Sequence, residues 1–175
     1  MELNARTRVP FPRELVFRTY RDRLPETVAF LPNVRSIEVK ERRDDGGRTS
    51  LVNVWSASAN VPSLARKFIT EEMLRWTDRA EWDEAGWSCR WLIEIHAYPG
   101  LVDCSGTTRY VEAEGGTELY IKGDLVLHLD KVHVPRLVAG TVQPVVERFV
   151  VGALKPNLIS TGEGVGRFLA AQPPG

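Results

Sequence analysis

Asp78 has the least ordinary surroundings of any ionisable residue in the chain. It lies in Met73–Asp83, where apolar and polar residues alternate, and it shares a side with Leu74, Trp76, Ala80 and Trp82. A carboxyl group buried on such a face has a raised pKa and can act as an acid or base, or orient a ligand. A place at a widened sheet edge, or a partner arginine, would instead make it structural. Asn53 is a second polar residue of this kind, sharing its side of the run Arg48–Ser58 with Leu51, Trp55 and Ala57. Around these two residues fall all five tryptophans: Trp55, Trp76, Trp82, Trp87 and Trp91. Large rings with a few polar groups make the usual wall of a small-molecule pocket. The same rings can fill a core, provided each indole N–H finds a partner.

Other reactive residue types are scattered. His96 is expected opposite Asp103 as an exposed cross-strand pair, and His128 and His133 have no carboxylate or cysteine at ligand spacing, so no metal site is expected. No Ser-His-Asp, Cys-His or paired-carboxylate arrangement is visible, which leaves Asp78 as the one catalytic candidate and implies no cofactor. Gly162-Glu163-Gly164-Val165-Gly166 resembles a glycine-rich nucleotide loop, but it follows a helical pattern rather than a strand and reads as a loop or flexible helix end.

Charge narrows the partners. Lys plus Arg and Asp plus Glu each total 23, so the net charge is zero and the basic excess needed for nucleic acid is missing. With 43% apolar and 26% charged residues, the 175-residue chain reads as one globular domain over 1–175. The first eight residues lack the apolar stretch of a signal peptide, and no apolar run reaches membrane-spanning length. A cytoplasmic protein with reduced thiols is the expectation; transient contact with a membrane surface stays compatible with it.

The elements that must position these residues follow from periodicity. Leu3–Arg8 reads as a strand. Pro12 opens a helix carrying Val16, Tyr20 and Leu24, and a second short helix ends at Pro32. From Val34 the period becomes two, and strands over Val34–Arg43, Arg48–Ser58, Met73–Asp83, Trp87–Ala97, Val102–Glu112 and Thr117–Leu129 are joined mostly by hairpin turns. Val138, Val142, Val145 and Phe149 then form the apolar stripe of a long helix that Pro156 should kink or end. The result is an α+β layout, strand-helix-helix-six strands-helix, in which a curved antiparallel sheet of about seven strands wraps a C-terminal helix.

A two-residue turn at Glu84-Ala85 sets Trp82 opposite Trp87, Ala80 opposite Cys89, Asp78 opposite Trp91 and Trp76 opposite Ile93. The next turn then sets Cys89 opposite Tyr110 and Ile95 opposite Cys104, keeping the two cysteines about 20 Å apart and unbridged. This register also sets Arg90 against Arg109, an unfavourable like-charge pair. The last hairpin pairs Tyr110 with Leu119, Gly106 with Gly123 and Cys104 with Leu125.

This order of elements resembles the START-like (SRPBCC, helix-grip) superfamily. Phe30-Leu31-Pro32-Asn33-Val34 through Val39 resembles its junction of second helix and second strand. Leu64-Ala65-Arg66-Lys67-Phe68, Trp82, Pro99-Gly100, Ser105-Gly106-Thr107 and Gly115-Gly116-Thr117-Glu118-Leu119 are similar to a bacterial branch known as a domain of unknown function. Phe11-Pro12, Trp55 and Pro62-Ser63 are more loosely similar to PRELI-type lipid-transfer proteins. The likeness runs from about Leu3 to Leu169.

The resemblance implies a cavity between sheet and C-terminal helix that binds a hydrophobic small molecule or lipid. Its expected lining is Asn53, Trp55, Trp76, Asp78, Trp82, Trp91, Tyr110, Val145 and Phe149, with Leu64, Arg66, Lys67 and Phe68 as a lid. Arg66 and Lys67 would meet a headgroup there, or be solvated charges. The rival expectation is a polyketide cyclase or dehydratase using Asp78 in the same cavity; a third is a stress-response or interaction module whose filled core binds nothing.

Overall fold

The computed structural model describes residues 1–57, 71–96, 99–100, 102–128 and 157–173. Among these, seven strands form one antiparallel sheet: β1 (Glu2–Val9), β2 (Val34–Asp45), β3 (Arg48–Ala57), β4 (Arg75–Asp83), β5 (Ser88–Ile95), β6 (Val102–Ala113) and β7 (Gly116–Leu127). Their spatial order is β1-β7-β6-β5-β4-β3-β2, so every pair except β1–β7 is a neighbour in sequence. Helix α1 (Arg13–Asp22) and a 3₁₀ helix (Leu24–Phe30) bridge β1 and β2, the two sheet edges. A C-terminal helix, α2, covers 157–170. The α+β helix-grip layout read from the sequence is the observed one. The expected lid and the Val138–Leu154 stripe, with Val145 and Phe149, lie outside the described residues.

Turn chemistry sets the registers. Gly46 and Gly47 both have positive φ, 51° and 90°, as a tight two-residue hairpin between right-twisted strands requires. β2 carries two bulges, at Val34/Ser36 and Val39/Glu41, which disrupt pairing along an exposed edge strand.

The β4–β5 turn corrects the sequence reading. It spans four residues, because Trp87 takes φ 46° and joins the turn, so Asp83 closes on Ser88. Trp82 therefore faces Cys89, Ala80 faces Trp91 and Asp78 faces Ile93, a shift of two positions that leaves each residue on its expected face. The β5–β6 register shifts likewise, with Cys89 opposite Thr108 and Ile93 opposite Cys104, while β6–β7 pairs as expected. The shift removes the Arg90–Arg109 clash: Arg90 stands between Glu81 and Thr107. Electrostatics and turn geometry thus favour one register together. The two cysteines are buried free thiols.

Glycines 162, 164 and 166 also correct the reading. They lie inside α2, beyond Pro156, rather than in a loop. A Cβ at Gly162 would come within 2.5 Å of Thr7, and one at Gly164 within 2.3 Å of Leu31. These positions let the helix backbone lie directly on β1 and on the chain after the 3₁₀ helix. Val165, Phe168 and Leu169 then enter a core cluster with Phe17 and Trp82, while Leu158 packs on a second cluster built around Trp91 and Cys104.

Candidate functional site

The inner face of the sheet has two zones. At one end, Phe17 of α1 is 1% exposed and meets Trp82, Trp87 and Tyr110 edge-on, at centroid distances of 5.1, 5.3 and 5.2 Å. Tyr20 adds a fourth edge-on contact, to Tyr110. Arg13 lies over the Trp87 ring at 4.4 Å. This zone is filled core. Trp91 is also packed: its indole N–H donates to Thr108 Oγ1 at 3.2 Å, and its ring lies against Gly106 and Gly123, where a Cβ would approach to 2.4 and 2.6 Å.

The other zone is built from β3, β4 and β5. Trp55 faces Trp76 across the β3–β4 ladder, and their rings stack at 5.6 Å with planes 18° apart. In the next inward row Asn53 faces Asp78, and Asn53 Nδ2 donates to Asp78 Oδ2 at 3.3 Å. Asn53 and Trp55 are buried, whereas Trp76, Asp78, Ile93 and Ile95 keep part of their surface open. These four form a contiguous block, because Trp76 pairs with Ile95 and Asp78 with Ile93.

The Asp78 carboxyl is pushed from the usual 3.8 up to about 6, chiefly by burial; the bond from Asn53 and the nearby Trp55 indole N–H pull it partly back. The indole N–H acts on the carboxyl through proximity, yet Trp55 Nε1 is buried without a hydrogen bond of proper geometry. Trp82 Nε1 is likewise unpartnered, in the aromatic core. The negative charge of Asp78 also helps raise the Cys89 and Tyr110 pKa values, secondary in each case to burial. This part of the interior therefore favours neutral forms.

Of the residues the sequence suggested for a pocket, the structure brings together Asn53, Trp55, Trp76 and Asp78. Trp82 and Tyr110 sit in a packed cluster that also takes in Trp55, with Trp76 partly buried at its margin, and Trp91 sits in a second cluster. Ile93 and Ile95 were not singled out, because only the observed β4–β5 register sets Ile93 opposite Asp78 and Ile95 opposite Trp76. The expected His96–Asp103 pair is not formed: His96 Nε2 lies 2.8 Å from Thr77 Oγ1, and Asp103 lies 2.5 Å from His128 Nε2. Among the described residues no group of three metal-ligating side chains converges.

Two surface grooves flank these zones. One, about 550 Å³, lies over the filled core and is rimmed by Glu14, Arg18 and Glu84. Glu14 and Glu84 are already paired, with Arg18 and Arg21. The other, about 530 Å³, lies at the end of the β5–β6 hairpin, where the outward residues Thr77, Leu92, Glu94 and Asp103 line it together with Ile93, Ile95 and Val102.

Residues 4–157 match the family described as a protein of unknown function, DUF2505, and the chain belongs to that family. Its fold is shared with TTHA0849 from Thermus thermophilus, at 22% identity and TM-score 0.63 over 98% of this chain and 100% of that one. It is also shared with the Zhui aromatase/cyclase from Streptomyces sp. R1128, at 20% identity and TM-score 0.61 over 98% and 96%. The di-domain aromatase/cyclase BexL matches at 18% identity and TM-score 0.66, over 99% of this chain and 51% of that one. No curated protein matches the sequence significantly.

Proposed function

We propose that this protein binds a hydrophobic small molecule against the inner face of its sheet, on the block formed by Trp55, Trp76, Asp78, Ile93 and Ile95. The observation that carries the reading is local. The neighbouring inward residues Leu51, Ala80, Trp91, Val102 and Cys104 are buried, while Trp76, Asp78, Ile93 and Ile95 keep open surface around a polar pair. Apolar walls with one or two polar groups are the usual composition of a ligand site. The fold shared with aromatase/cyclases supports a cavity on this face. A phospholipid occupant rests on the PRELI likeness alone, and the ionisable group at the block is a carboxyl, which would repel a phosphate.

Titration with N-phenyl-1-naphthylamine, a neutral dye that brightens in apolar surroundings, tests the reading. Saturable binding that Trp76→Ala weakens at least about tenfold is expected. Absence of saturable binding to the folded protein would overturn the proposal.

A second reading, a cyclase- or dehydratase-like enzyme with Asp78 as acid–base group, is favoured by the upward shift of Asp78 to about 6. General acids and bases work best with pKa values near the operating pH. Turnover of a polyketide-like substrate that survives Asp78→Asn would remove this reading.

A further inference from the structure

Three polar groups converge at the block with their hydrogen bonding incomplete. Trp55 is 8% exposed and its Nε1 has no partner of proper geometry among the described residues. A buried donor left in that state costs stability unless something else satisfies it. The Asp78 carboxyl, close enough to feel that N–H, holds one hydrogen bond, at 3.3 Å from Asn53 Nδ2, although a carboxylate has room for about four. Asn53 is 3% exposed and keeps a second amide hydrogen beyond the one given to Asp78.

An unused donor beside an under-used acceptor is complementary to a group that both accepts and donates. A hydroxyl does this with one atom: its oxygen takes the indole N–H while its hydrogen goes to the carboxylate. A carbonyl answers only the donor, and a carboxylate or phosphate brings a second negative charge against Asp78. Trp76, stacked on the buried Trp55 and itself partly open, gives this pair a flat aromatic wall, against which a planar ring fits.

We propose that Trp55, Asp78 and Asn53 form a hydroxyl-recognition point, and that the ligand is an uncharged aromatic alcohol of phenolic type lying against the Trp55–Trp76 wall. The assignment rests on the hydrophobic-ligand reading above, and it adds what that reading leaves open, the polar group the ligand carries.

Equilibrium dialysis of the whole protein against 2-naphthol, naphthalene and 2-naphthoate tests it, since the three share one ring system and differ in the polar group. 2-Naphthol is expected to bind at least about tenfold more tightly than naphthalene, the worth of one charge-assisted hydrogen bond, and 2-naphthoate more weakly than 2-naphthol. Trp55→Phe, which keeps a ring and removes the N–H, should bring 2-naphthol to within about threefold of naphthalene. Asp78→Leu should do the same, with circular dichroism as the check on folding. Equal binding of 2-naphthol and naphthalene, or tightest binding of 2-naphthoate, would overturn the hydroxyl assignment and leave the apolar pocket standing. Failure of both neutral probes to bind would overturn the pocket reading and the assignment together.

Discussion

Two groups of tryptophan share the inner face and behave as different materials. Trp82 and Trp87 surround Phe17 edge-on, the arrangement in which ring quadrupoles attract, within a cluster whose central side chains are almost wholly buried. Trp55 and Trp76 lie nearly parallel beside Asp78, with Trp55 buried and Trp76 partly open. Among the described residues, the difference lies in what α1 covers. Helix α1 brings Phe17 and Tyr20 down on the first. The second keeps a polar pair that an apolar lid could not cover without cost. One end is filled, and the other keeps open surface around a polar pair.

The largest test of this contrast is Phe17→Ala, expected to destabilise the protein by about 3–5 kcal/mol in urea denaturation, as for other buried aromatic truncations. Trp76→Ala should cost less than half as much and act mainly on ligand binding. Equal losses would mean that both zones are core.

Asp78→Asn should separate the zones through pH. The folded-state pKa of about 6 lies above the ordinary 3.8, so the folded protein holds this proton more tightly than the unfolded chain. That contribution to stability is full below about pH 3.8, declines as pH rises towards 6, and is absent above it, a span of about 2–3 kcal/mol. Asp78→Asn should remove the decline between pH 4 and 6 and leave the protein more stable than wild type at pH 7.5. An unchanged pH profile would show that the carboxyl is solvated.

Indole N–H groups give a finer comparison. Thr108→Val leaves the Trp91 N–H without its acceptor and should cost about 1–3 kcal/mol. Trp55→Phe removes an N–H that has no such partner, so the lost ring area is offset and the net change should stay within about 1 kcal/mol. Matching losses in thermal melts would mean that both N–H groups are satisfied. The smallest effect belongs to the outer face, where Arg79 and Glu94 pair at 2.8 Å with both side chains about half exposed. Arg79→Ala should change stability by under about 1 kcal/mol and leave ligand binding untouched.

Much of this could be read along the chain. Period-two alternation assigned Asp78, Trp76 and Trp82 to one face, and it survived two register errors because each was a shift of two residues. Gly-Gly at 46–47 and Gly115 marked their hairpins. Trp87 misled because a left-handed φ is unusual for a bulky residue, and nothing local signals it. The glycines of α2 misled for a related reason. Their smallness serves contact with Thr7 and Leu31, more than 100 positions away in sequence, and local propensity reads it as flexibility.

The sequence by itself determined the order of elements, the faces of the strands and the presence of one carboxyl among tryptophans, because side-chain alternation is a property of each strand alone. Tertiary structure decided which tryptophans are core and which border open space. It also decided that Ile93 rather than Trp91 stands opposite Asp78, and Ile95 rather than Ile93 opposite Trp76. Those outcomes depend on how turns set register and on what packs over each row, and neither is encoded within a single strand.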